Sequence, residues 1–303
     1  MNIRLPVSSG SGNYEIAMAT YGDASVGRSL LCLPGILETS AVFGDMTRSR
    51  QSLASICAID FSGRGESDFL SSPAAYRMST CLTESSVAYS YLMGALSHRR
   101  GEAETRAQVD LFGADRRQHI HLIGNSMGGL IAMFLARQKP AWLRSIVLND
   151  IGSMLPWASL ISLFGALGRS FMSAGESPMV GSSGRLARQL DVDEKLIAAV
   201  IRPGYLNLPH QRTLAGLCFD DCFGAITTPV LIVHSIDSPV MPASLVHKMR
   251  DLPSNYSFHS VPGNQHPVPY TTELIDKIAR FQRDAEDACL RPEQPLGLAE
   301  CSP

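Results

Sequence analysis

The sequence predicts an α/β fold built on a mostly parallel sheet, and three observations lead there. Short apolar runs rich in Val, Ile and Leu alternate with segments of helical periodicity, as strands joined by crossover helices do. The chain has 303 residues, 45% of them hydrophobic, enough for one large buried core. The alternation breaks once, between residues 153 and 223, where the pattern is helical and apolar at its start.

Taken in order, the strand-like runs cover 14–20, 29–33, 55–60, 119–123, 145–148, 230–234 and 256–261. Helical patterns fill 80–96, 127–138, 243–250 and 271–284. The core is therefore expected over 1–152 and 224–283, with 153–223 inserted between two core strands as a helical lid. Residues 284–303, with three prolines near the end, read as a disordered tail. The charged stretch 98–118 reads as a solvated loop rather than an anion site.

Composition excludes several classes of partner. Lys and Arg total 26 and Asp and Glu 28, a net charge of −2, so nothing points to nucleic acid or an anionic membrane surface. The apolar stretch 154–168 is interrupted by Pro156 and ends at Arg169, short of the roughly 20 apolar residues a membrane span needs. The first residues, MNIRLPVSSGSG, lack the apolar segment of a signal peptide. Seven cysteines without metal-binding spacing read as reduced thiols in a cytoplasmic protein.

The chemistry concentrates at Gly124-Asn125-Ser126-Met127-Gly128, a G-x-S-x-G placed between an apolar strand and an amphipathic helix. A nucleophile on a sharp strand-to-helix turn is held in a strained backbone with its Oγ exposed above the sheet. Glycines two residues to either side leave room for the crossing. The helix N-terminus that follows offers N–H groups to a developing oxyanion.

With these residues the chain resembles the α/β-hydrolase family over about residues 13–283, which implies an eight-stranded, mostly parallel sheet with helices on both faces. Leu33-Pro34-Gly35-Ile36 falls where the family has its second oxyanion donor. The resemblance therefore implies that the N–H groups of Ile36 and Met127 act together. Asp60-Phe61-Ser62-Gly63-Arg64-Gly65-Glu66-Ser67-Asp68 is similar to a structural turn of the family. His266, in Pro262-Gly263-Asn264-Gln265-His266-Pro267 after the last strand, matches the general base. An imidazole ordinarily titrates near 6.5, which suits proton transfer at neutral pH. His119, His121, His234 and His259 lie in strands and read as structural.

The acid departs from the family pattern. Its usual place follows the strand 230–234, where the chain reads Ser235-Ile236-Asp237-Ser238-Pro239. The strict equivalents are Ser238 or Pro239, so Asp237 is the first candidate, shifted by one or two positions. Asp150, after the strand 145–148, is the alternative position. If neither serves, the site is a dyad or the protein does no chemistry.

The expected reaction is acyl transfer through Ser126, His266 and Asp237, with no metal or organic cofactor. The substrate is a small molecule, an ester by default, with a thioester, a lactone or a carbon–carbon bond between ketones also open. Trp157, Leu160 and Phe164 are expected to line an apolar pocket. The rival reading is a non-catalytic binder that keeps the pocket. A serine at residue 126 excludes chemistry that requires an aspartate nucleophile there. The sequence leaves the oligomeric state open.

Overall fold

The computed structural model describes residues 2–21, 28–48, 55–104, 119–140, 143–172, 182–202, 204–249 and 255–290. The chain opens with β1 (Asn2–Ser9) and β2 (Gly12–Tyr21), then β3 (Arg28–Leu33), a 3-10 helix over Ser40–Arg48, and β4 (Ser55–Ile59). Helix α1 (Met78–Glu104), β5 (His119–Asn125), α2 (Met127–Arg137) and β6 (Leu143–Asn149) complete the first part. The inserted stretch holds β7 (Met154–Pro156), α3 (Trp157–Met172), α4 (Ser182–Leu190), α5 (Glu194–Val200), β8 (Gln211–Arg212) and β9 (Gly216–Cys218). The chain then runs through α6 (Asp220–Gly224), β10 (Val230–Ser235), α7 (Ala243–Met249), β11 (Tyr256–Val261) and α8 (Thr272–Leu290).

Eight strands form one sheet in the order β1-β2-β4-β3-β5-β6-β10-β11. The first two pairings are antiparallel and the rest parallel. The middle strands β4 and β5 are buried at every position, as expected of a sheet covered on both faces. The period of two along β3 assigns the layers. Leu31 and Leu33 face the core under α1 and α2, whereas Leu30 and Cys32 face the core under α8 and the 3-10 helix. Helix α2 is buried along Met127–Ala136, which its almost uninterrupted apolar sequence allows.

Three expectations need correction. Strand β1 is absent from the sequence pattern; its Pro6 and polar flanks obscure it, and both are tolerated because β1 is a sheet edge. Helix α1 runs on to Glu104, into the stretch read as a loop, through the good helix formers Arg, Glu and Ala; residues 105–118 lie outside the described residues. Helix α8 likewise continues past 284 to Leu290, and 291–303 lie outside the described residues.

The inserted stretch is not purely helical either. Strands β7, β9 and β8 form a small antiparallel sheet of their own. Among the described residues, Cys32, Cys57, Cys81, Cys218 and Cys222 are buried and carry no disulfide. No described helix is long and apolar enough to cross a membrane.

Candidate active site

Ser126 occupies the turn between β5 and α2 with φ 48° and ψ −112°. That region is costly for a residue with a Cβ, by about 1–3 kcal/mol, and persists only where the surroundings enforce it. Here they do: Ser126 N–H donates to Asn149 O at 2.9 Å, and Ser126 O accepts from Gly129 N at 2.9 Å. The flanking glycines are sterically required. A Cβ on Gly124 would run into the Gly128 carbonyl, and one on Gly128 into the Leu33 carbonyl. The strand, turn and helix are thus packed backbone against backbone, which leaves the serine hydroxyl outward.

His266 stands over it. Its Nε2 lies 2.8 Å from Ser126 Oγ, and its Nδ1 lies 2.7 Å from Asp150 Oδ2. A carboxylate at Nδ1 takes the ring N–H and leaves the Nε2 lone pair facing the hydroxyl, the arrangement that proton abstraction requires.

The carboxylate at His266 is that of Asp150. Asp237, the first candidate from the sequence, is exposed and away from the imidazole line; its backbone N–H donates to Gly263 O at 2.9 Å. The physical reason is strand adjacency. β6 and β10 are parallel neighbours with Asn149 opposite Val233, so Asp150, just past β6, emerges level with His234, its N–H donating to Val233 O at 2.7 Å and its carboxylate within reach of Ser235 N. Asp150 is fully buried, at φ 57°. Its Oδ1 accepts from Ser235 N at 3.2 Å and its Oδ2 from Ser238 Oγ at 2.7 Å. Ser238, the strict equivalent of the family's acid position, thus supplies a hydroxyl to the carboxylate instead of a carboxylate to the histidine.

The turn holding Ile36 is clamped from both sides. Gly35 N donates to Glu38 Oε2 at 2.7 Å, and Asn125 Nδ2 donates to the same oxygen at 3.0 Å. On the other side the buried Arg64 guanidinium donates twice to Ile36 O, at 3.1 and 2.8 Å. Arg64 also donates to Tyr205 Oη at 2.9 Å, and that hydroxyl lies 3.2 Å from Met127 Sδ. One buried chain therefore links Ile36 and Met127, the two residues expected to offer oxyanion donors. No hydrogen bond to either N–H is found among the described residues. Sequence reasoning read the Arg64 turn as structural and missed this link, because the partner Tyr205 lies 141 residues away.

A cavity of about 790 Å³ opens at Ser126 and His266. Leu130, Leu155, Trp157, Leu160 and Leu163 contribute to its wall. The Trp157 indole is fixed by donating to Thr213 O at 2.9 Å. Phe164 belongs to α3, but its side chain lies outside the described residues.

Known proteins carry the same architecture. Residues 30–280 match the profile of the Alpha/beta hydrolase family. RutD of Variovorax paradoxus (strain S110), which is named as a carbamate hydrolase, is 26% identical over 192 residues, 58% of this chain and 71% of that protein. Among solved structures, an alpha/beta hydrolase from Novosphingobium aromaticivorans superposes with a TM-score of 0.63 at 22% identity, covering 93% of this chain and 98% of that one. A thermophilic esterase from Thermogutta terrifontis gives a TM-score of 0.63 at 16% identity over 94% and 99% of the two chains.

Proposed function

The chain belongs to the alpha/beta hydrolase family, and we propose that it is a serine hydrolase that cleaves an ester of a small, largely apolar acyl or aromatic compound. The observation that carries the reading is the unbroken line from Ser126 Oγ through His266 to Asp150 at the floor of an apolar cavity.

In this mechanism His266 Nε2 takes the Ser126 proton as Oγ attacks the carbonyl carbon. Asp150 holds the ring tautomer and stabilises the imidazolium that forms. The N–H groups of Ile36 and Met127 receive the oxyanion. His266 then protonates the leaving oxygen, and water attacks the acyl-enzyme by the same route in reverse. Residues 153–223 serve as a lid, with Trp157 and Leu160 facing the acyl group. The apolar wall supports such a substrate, since pockets of this kind bind mainly by apolar contact with a few polar groups fixing orientation. No metal or organic cofactor takes part in these steps.

A fluorophosphonate probe tests the proposal. It should label Ser126 covalently, and Ser126→Ala should lose both the label and p-nitrophenyl ester hydrolysis while keeping the wild-type melting temperature. Background catalysis from the oxyanion donors would persist at about 10³-fold over water. An unlabelled wild type would favour a non-catalytic binder, and full activity in Ser126→Ala would remove the serine from the mechanism.

A further inference from the structure

At the other end of β5 from Ser126 lies a second cluster that the hydrolase reading does not use. His119 and His121, two apart on the strand, point to the same face as Ile123, toward α8. There Glu286 Oε1 lies 2.7 Å from His119 Nε2 and 3.0 Å from His121 Nε2. The three side chains are at most 8% exposed, and their ligand atoms all lie within 4.8 Å of one another. His121 Nδ1 is fixed by Ser145 Oγ at 2.7 Å, which leaves Nε2 as the atom facing the carboxylate.

We propose that His119, His121 and Glu286 form a structural binding site for a divalent transition-metal ion, zinc being the best match to two imidazoles and a carboxylate. Two further observations support it. Despite its short approach to Glu286, neither ring nitrogen of the buried His119 makes a hydrogen bond among the described residues. Gln282, one turn before Glu286 on α8 and 4% exposed, has an amide nitrogen with no partner among the described residues. Water fills the fourth position of such a site.

The spacing is also right for a nearly assembled site. Ligand atoms about 2.0–2.2 Å from a tetrahedral ion stand about 3.3–3.6 Å apart, so the two Glu286–histidine separations, 2.7 and 3.0 Å, widen by about 0.3–0.9 Å to admit it. Two imidazoles with a carboxylate suit zinc, copper or nickel better than magnesium or calcium. Ser145 is the group that orients His121, a role that metal-bound histidines commonly require. Seven residue steps along β5 separate His119 from Ser126, about 23 Å, so the ion would pin α8 to the sheet without touching the reaction.

The test uses the full chain stripped with EDTA and titrated with Zn(II), and separately with Co(II), whose d–d absorption reports tetrahedral coordination. One zinc per chain, a tetrahedral cobalt spectrum and a higher melting temperature with zinc are expected. Glu286→Gln and His119→Gln, each near-isosteric, should lose the stoichiometric ion, while Ser145→Ala should weaken binding about 10–100-fold. Ester hydrolysis by the wild type should be the same with and without zinc. Absence of stoichiometric zinc and of the cobalt spectrum in the wild type would overturn the proposal. So would unchanged affinity in folded Glu286→Gln, which would place the ion on other histidines.

Discussion

The carboxylate opposite His266 is the point at which sequence and structure part, and replacing Asp150 by Asn discriminates between them. Asp150 Oδ2 meets His266 Nδ1 at 2.7 Å and Ser238 Oγ at 2.7 Å, while Oδ1 meets Ser235 N at 3.2 Å. An amide cannot satisfy this set in either orientation. With its NH₂ toward His266 it donates to Nδ1, moves the ring proton to Nε2 and removes the base. With its NH₂ toward Ser235 it sets donor against donor in a fully buried place. Charge adds to the loss. An imidazolium and a carboxylate with centres about 4 Å apart attract by about 4 kcal/mol at an effective dielectric of 20. At about 1.36 kcal/mol per decade that is roughly a thousandfold in rate, and the wrong tautomer extends it toward 10⁴. The assay is steady-state kcat on a p-nitrophenyl ester for Asp150→Asn and Asp237→Asn, with thermal melts to confirm folding. Asp237, exposed, should tolerate the change within about threefold. An Asp150→Asn enzyme within tenfold of wild type, or a larger loss in Asp237→Asn, would refute the assignment.

Other consequences are as direct. Arg64→Lys replaces a planar fork by a point donor and should release the Ile36 carbonyl, lowering kcat about ten- to a hundredfold with a smaller change in KM; equal activity would mean that the turn holds its shape without Arg64. Gly128→Ala forces a methyl group against the Leu33 carbonyl and should destabilise the fold by about 3 kcal/mol, read by urea unfolding; wild-type stability would contradict the packing. Leu160→Ser should raise KM for long acyl chains more than for acetate esters; an equal rise for all lengths would give Leu160 a purely packing role.

How far each feature could be read from the sequence follows the range of the interactions that specify it. The elbow at Ser126 was legible because five consecutive residues between a strand and a helix decide it, and the glycines are there for contacts within the motif and the neighbouring strand. His266 was legible because it follows the last strand directly. The parallel core strands were legible as continuous apolar runs. Strand β1 was not, because an edge strand with a proline lacks that signal. Nor was the small sheet β7-β9-β8, whose strands of two or three residues show no periodicity and depend on pairing between residues such as Met154 and Cys218.

The acid was illegible for a more instructive reason. Counting along the loop after β10 assumes that the carboxylate must come from that strand, but the requirement is spatial: an oxygen at His266 Nδ1. Because β6 and β10 run side by side in register, either strand end can meet it. The loop after β10 then takes the complementary task. Ser238 Oγ accepts from Val240 N at 3.0 Å and from Met241 N at 2.9 Å, which leaves its proton for Asp150 Oδ2. The Ser235 N–H holds the other carboxylate oxygen, while Ser235 Oγ donates to Gln265 O beside the histidine. A loop that departs from the family pattern residue by residue is thus consistent as a unit. It gives up the carboxylate and supplies the donors that a buried carboxylate on the neighbouring strand needs.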